Sequence, residues 1–186
     1  MDDTTAWGPL AHLIGNWEGE DGVDVAYSNS LGKVINTPYR EKAEFKAFGP
    51  VDNGRQALYG LDYRSAMWRG DEELPFHTEV GYWLWDGASG EIMKCFVVPR
   101  GITTLAGGQA AADATTWTMS ATVGDGMYGI SSNKYLNDAA PTLRYETNIS
   151  ILGDGIFSYA QSTILHMRVL SAEMDHSDLN TLRRVS

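Results

Sequence analysis

Phe76-His77-Thr78-Glu79-Val80-Gly81-Tyr82-Trp83-Leu84-Trp85 decides the fold. The run has no proline, is rich in aromatic side chains, and closes on the turn signal Asp86-Gly87-Ala88-Ser89-Gly90. It predicts a long β-strand entering a hairpin. Alternation along a strand puts His77, Glu79, Gly81, Trp83 and Trp85 on one face, and Phe76, Thr78, Val80, Tyr82 and Leu84 on the other. The second set reads as an ordinary buried face. The first carries an imidazole, a carboxylate and two indoles in line. It either lines a ligand cavity or forms a surface with aromatic cover.

Working outward, the same period recurs. Residues 39–48 alternate, with Arg40, Lys42, Glu44 and Lys46 on one side and Tyr39, Ala43, Phe45 and Ala47 on the other. Glu41 is the exception on the inner face of this half-buried strand. Residues 56–69 place Ala57, Tyr59, Leu61, Tyr63, Ser65 and Met67 together, and Gly60 inside that run signals a bend or bulge. Residues 91–98 are the hairpin partner of the opening strand. Further strands are predicted at 102–106, 115–123, 127–132, 142–151, 156–170 and 179–185. Gly124-Asp125-Gly126 and Gly153-Asp154-Gly155 read as turns, and 49–54 as a turn cluster.

At the amino end, residues 7–14 predict a short helix. Pro9 suits its first turn, Leu10, Leu13 and Ile14 share a face, and Gly15 is placed to end it. Such a helix can plug or brace a barrel end. Residues 15–19 start the first strand. Residues 21–38 are polar, with one strand expected near 23–27 and a loop after it. Nine or ten closely spaced strands, without repeat or linker, predict one domain over 1–186. Its class is all-β, a single antiparallel up-and-down β-barrel with a short N-terminal helix. A closed barrel of this size has room for one small ligand.

Composition bounds the function. The chain has 186 residues, 43% hydrophobic and 20% charged, enough for a core without staples. Lys and Arg number 14 against 24 Asp and Glu, a net charge of −10. That balance argues against the basic patch that nucleic-acid binding requires. Cys95 is the one cysteine, so an intramolecular disulfide and a cysteine zinc site are excluded, and a buried, inert thiol is expected. No apolar run approaches the ~20 residues of a membrane span. The opening Met1-Asp2-Asp3-Thr4-Thr5 is acidic and carries no signal-peptide core, so the expected location is cytoplasmic. Self-association as a homodimer is left open.

The candidate chemistry is sparse. The histidines are His12, His77, His166 and His176, and no two have the spacing of a zinc pair. His12 lies in the short helix, His166 mid-strand with solvent exposure expected, and His176 close to the last strand. There is no nucleophile elbow, phosphate loop or dinucleotide fingerprint. His77 and Glu79, two apart on one strand face, can form an acid–base pair.

The motifs carry a resemblance. Gly15-x-Trp17-x-Gly19 after a Leu-rich helix resembles the opening of the nitrobindin family, heme-binding β-barrels of the fatty-acid-binding-protein-like kind. Tyr59-Gly60-Leu61-Asp62-Tyr63-Arg64-Ser65-Ala66-Met67-Trp68-Arg69 is similar to the family strand ending in an Arg-x-x-Trp-like pattern. Phe76-His77-Thr78-Glu79-Val80-Gly81-Tyr82 resembles its His-Ser/Thr-Glu-x-Gly-aromatic strand. Pro99-Arg100-Gly101 falls where the family has Pro-Thr-Gly, and His176 with Leu182-Arg183-Arg184 resembles its terminal strand. The chain departs from the pattern over 21–38, where Asp21 interrupts a run of alternate glycines. It departs again at Ser177, which follows the histidine where the family has an apolar residue.

The resemblance implies ferric heme b near one barrel mouth, with His176 as axial metal ligand and His77 on the facing wall. Glu79, Tyr63 and Trp17 complete the expected cofactor-binding set. It also implies nitric oxide binding and conversion of peroxynitrite to nitrate. Two alternatives stand beside it: a metal-free carrier of a small apolar or aromatic ligand in the same cavity, and a solid barrel acting through a partner surface.

Overall fold

The computed structural model describes residues 4–52 and 54–186. The acidic opening at residues 1–3 and Asn53 of the expected turn cluster lie outside the described residues. Eleven strands are present: β1 (Gly15–Ser28), β2 (Lys33–Asp52), β3 (Ala57–Trp68), β4 (His77–Asp86), β5 (Glu91–Val98), β6 (Ile102–Gln109), β7 (Thr116–Thr122), β8 (Ile130–Ser132), β9 (Thr142–Gly153), β10 (Ile156–Met167) and β11 (Ala172–Arg184). Ten of them close a ring in which each pairs antiparallel with its neighbours, β1 returning to β11 and β5 joining β6. The short β8 pairs with Ile102–Thr104 of β6 on the edge away from β5, the edge that β7 takes at Gly107. The fold is the closed antiparallel barrel that the strand spacing predicts.

The strand faces need one correction. On β4, Trp83 and Trp85 are buried with Glu79, whereas Val80 and Tyr82 face solvent. The face carrying the imidazole and the carboxylate therefore looks inward, and the apolar set on the other side does not form the buried face. Gly81 belongs to the inner set for a steric reason: a Cβ there would stand 1.9 Å from the Cys95 carbonyl oxygen of β5. Hydrophobicity alone misassigned the faces because the interior of this barrel is polar in its middle.

The strand expected near 23–27 is the second half of β1, and the loop expected after it is only a turn at residues 29–32. β1 runs to Ser28 and turns directly into β2, their pairing continuing from Val23–Pro38 to Ser28–Lys33. A bulge interrupts the β1–β2 register between Gly19 and Gly22. It reverses which side chains point inward, so Trp17 and Asp24 are both buried although their spacing is odd. β2 continues through the expected turn at 49–52, with a register shift against β3 between Phe48 and Val51 beside Gly60. A short helix, α1 (Lys134–Ala139), capped by the Asn133 side chain on the Leu136 amide, stands in a stretch where no element is predicted.

The amino-terminal helix is a 3-10 segment over Thr5–Leu13, kinked at Gly8, not a regular α-helix. Gly8 has φ +53°, and any Cβ there would strike the Trp85 indole at 2.5 Å. Leu10 and Leu13 are fully buried, the Trp7 indole donates to the Phe48 and Gly60 carbonyls, and the Trp17 indole donates to the Leu13 carbonyl. This segment plugs one end of the barrel, where β4 and β11 finish. Leu10→Ala is expected to lower stability by about 2–5 kcal/mol in urea unfolding, the range for a buried Leu truncated in a core that relaxes only partly. Unchanged stability would show that the plug contributes nothing to the core.

Candidate functional site

β4 and β11 both begin at the end opposite the plug, the mouth of the barrel. On β11, Met174, His176, Asp178, Asn180 and Leu182 alternate inward from that mouth toward the plug. On β4 the corresponding order is His77, Glu79, Gly81, Trp83, Trp85. His77 and His176 therefore stand at the same mouth on facing walls, and the charge of His77 is felt at His176. His12 and His166 are exposed elsewhere.

His176 is held by a residue outside every sequence motif. Its Nε2 lies 2.6 Å from Asp24 Oδ1 on β1. Asp24 is directly opposite Asp178 in the β1–β11 register, and the bulge in β1 is what turns it inward. Burial works against protonation of His176, but Asp24 and then Asp178 outweigh it, so the imidazole holds its proton above the ordinary histidine range. Nδ1 is the ring nitrogen with no protein partner among the described residues.

His77 meets Glu79, Nε2 to Oε1, at 3.4 Å. The other Glu79 oxygen accepts from Tyr63 Oη at 3.0 Å and from Lys94 Nζ at 2.8 Å. Glu79 and Lys94 are 3% and 2% exposed, an ion pair inside the barrel. Lys94 also donates to Tyr145 Oη and Gln161 Oε1, both at 3.0 Å, which uses all three ammonium protons. The rings of Phe96, Tyr63, Tyr145 and Trp83 surround it at 4.3 to 5.6 Å, close enough for cation–π attraction. Burial alone would raise the Glu79 pKa, but Lys94 and then His77 bring it down to about 2. Lys94 in turn is held protonated, Glu79 overcoming its burial. Gln161 continues the chain of contacts to Asp178 at 2.9 Å.

A second buried carboxyl has no cation beside it among the described residues. Glu41 accepts from Ser65 Oγ (2.6 Å), Tyr159 Oη (2.6 Å) and Asn180 Nδ2 (3.0 Å). Burial raises its pKa despite these three donors. Tyr159 Oη also lies 2.7 Å from Tyr39 Oη.

These side chains fill the space that the strand count leaves for a ligand. The interior void is about 20 Å³, lined by Glu41, Tyr63, Trp83, Lys94, Tyr159 and Gln161 among others, room for a single water. A wider depression of about 430 Å³ lies on the outer face of β1–β3, among Asn16, Glu18, Lys42, Glu44, Arg64 and Trp68, away from both mouth histidines.

Of the five sequence-predicted site residues, the structure brings together His176, His77, Glu79 and Tyr63. Trp17 is not among them: it is 1% exposed and packs against Phe157 at the plugged end. Lys94, Asp24, Asp178 and Gln161 were not predicted. For Lys94 the signal was present, since it shares the inner parity of Ile92, Phe96 and Val98. Cys95 points outward, half-buried, with burial pushing its thiol pKa up. Among the described residues no group of three or more His, Cys, Asp or Glu side chains is arranged to hold a metal ion.

Residues 6–184 match the family model described as THAP4-like, heme-binding beta-barrel domain. The chain belongs to that family. It is the heme-binding barrel family that the nitrobindin-like motifs indicate, and heme is the family's cofactor. Among solved structures, Rv2717c from M. tuberculosis is similar with a TM-score of 0.65 at 18% identity, over 97% of this chain and 98% of that one. At that identity the likeness concerns the fold. No curated protein matches the chain. No helix among the described residues is long and apolar enough to cross a membrane.

Two outcomes follow for the buried pair. Lys94→Met strands the Glu79 carboxylate and is expected to cost about 3–5 kcal/mol, with much of that loss recovered in the double variant Glu79→Gln/Lys94→Met; equal stability of single and double variants would refute the coupling. Because the folded pKa of Glu79 is depressed, its contribution is complete above the unfolded value near 4.5 and is lost as pH falls toward 2. The stability gap between wild type and Glu79→Gln should close over that acid window in pH-dependent urea titrations.

Proposed function

We propose that this chain binds ferric heme b at the open mouth through His176. Nitric oxide binding and peroxynitrite-to-nitrate isomerisation are the activities that its family likeness suggests. The observation that carries the reading is the state of one side chain. The His176 imidazole faces the mouth, 36% exposed, with one ring nitrogen tied to a carboxylate and the other without a protein partner among the described residues. A metal-ligating imidazole typically has its second nitrogen held in this way. Heme held there would supply an iron able to bind a small diatomic or anionic ligand.

The chain's own residues for holding that group stand at the mouth, since the interior void of about 20 Å³ leaves no room for it in the core. His176 would hold the iron and Asp24 would orient His176. Behind them, Lys94 and Glu79 close the interior. The same fact weighs against the metal-free carrier, because small-molecule pockets run to about 300–1,000 Å³ and the interior void is about 20 Å³. A lone thiol with no disulfide suits a reducing cytoplasm.

Added heme is expected to give a Soret band with wild type, and His176→Ala to weaken binding at least tenfold while the far-UV spectrum of the barrel persists. A His176→Ala protein with wild-type heme affinity would refute the axial assignment. Ligation competes with the proton on His176, which the neighbouring carboxylates retain above the ordinary pKa of 6.5. Heme affinity should therefore climb as pH rises through that raised pKa, and a flat profile would contradict the role given to that nitrogen.

A further inference from the structure

We propose that His77 is the acid–base group of the mouth, positioned by Glu79 and, through Glu79, by Lys94, and that it exchanges a proton with a small ligand carrying an oxygen or nitrogen acceptor atom. The inference rests on the heme reading for what brings that ligand to the mouth. Its own basis is the arrangement of three side chains to which the heme reading gives no part in holding the iron.

His77 and Glu79 are neighbours on the inner face of β4, so the strand itself sets them side by side. The contact is 3.4 Å, a loose one of the kind that tightens in the ligand-bound state. The two Glu79 oxygens are divided. Oε1 faces His77, and Oε2 is taken by Lys94 and Tyr63. A carboxylate with an ammonium behind it does not readily accept the imidazole proton. It can only orient the ring and favour its charged form, the part that the carboxylate plays in a histidine-based triad. Nδ1 of His77 has no protein partner among the described residues, and the side chain is 30% exposed at the mouth. A bare surface His–Glu pair would need neither the buried lysine nor the aromatic cage that keeps it in place.

The step is a plain proton transfer. The N–H bond at Nδ1 breaks, an O–H or N–H bond forms on the ligand, the imidazolium becomes neutral imidazole, and solvent at the mouth returns the proton. The charged groups facing His77 are Glu79 on its own strand, Asp178 from β11, Lys94 from β5, and the His176 imidazole on the opposite wall. Burial lowers the His77 pKa, while Glu79 and then Asp178 raise it; Lys94 opposes them, and the balance lies above the ordinary value.

The test uses azide as probe of the heme-loaded protein, and imidazole NMR of the heme-free protein. His77→Leu should keep the Soret band and lose azide affinity by roughly 10- to 100-fold, the value of a hydrogen bond to a charged group, together with the pH dependence of azide binding near neutrality. Glu79→Gln/Lys94→Met, which keeps the imidazole but removes the pair behind it, should move the His77 titration toward 6.5 in the heme-free protein. If His77→Leu binds azide like wild type at all pH values, the proposal is overturned. Loss of the Soret band in His77→Leu overturns it too, since His77 would then be the iron ligand. A wild type that takes up no heme removes the heme reading instead. The NMR arm then decides: a His77 titration indifferent to the double substitution overturns the proposal, and a downward shift sustains it.

Discussion

The structure depends on one ion pair placed where a barrel of this size would otherwise be empty. Bringing Glu79 and Lys94 out of water costs several kcal/mol per ion, and attraction alone does not reliably offset that. Here further partners are in place, Tyr63 on the carboxylate and Tyr145 and Gln161 on the ammonium. Four aromatic rings complete the surroundings. The pair also sets register. Lys94 lies directly across from Trp83 in the β4–β5 ladder, and a one-residue slip would turn the ammonium to the outside and leave the carboxylate alone in the core.

Around that pair the barrel interior is layered. Toward the plug it is apolar, with Trp17, Phe45, Leu61, Trp85, Phe157 and Leu182 packed under Leu10 and Leu13. In the middle lie the Glu79–Lys94 pair and the neutral donors around Glu41. At the mouth stand the two histidines among Asp24 and Asp178. Carboxylates outnumber permanent cations in the upper layers, and this excess keeps both mouth imidazoles inclined to hold their protons. The middle layer thus does two things. It seals the core against a large guest, and it sets the charge state of the groups that meet one at the rim.

Much of this was legible in the chain. Alternation along 76–85, the turn at 86–90 and the spacing of later strands were enough for a closed antiparallel barrel with a helical plug, and Glu41 stood out as polar on an inner face. The motifs around His77 and His176 placed the family. What escaped had physical reasons. The inner face of β4 was hard to tell from the outer one because a buried ion pair reverses the usual polarity of a core strand. Lys94 was passed over because a lysine between apolar neighbours reads as solvent-facing unless its carboxylate partner, on the next strand, is known. Asp24 was out of reach because its orientation depends on a bulge, and strict period-two counting does not anticipate an extra residue. Trp17 was assigned to the site through a motif, whereas its indole is committed to the Leu13 carbonyl at the plugged end.

That bulge at Gly19–Gly22 has a wider meaning. It makes the length of a hairpin arm, and not the identity of any functional side chain, the variable that decides whether an acidic group looks into the mouth or away from it. Loss or gain of one residue there would exchange the inner and outer sets of the rest of β1 while every motif stayed intact. Two chains with the same recognisable signature could then differ in whether the rim histidine has a carboxylate bonded to its ring, and that difference would be invisible to any comparison that scores letters without counting the pleats between them.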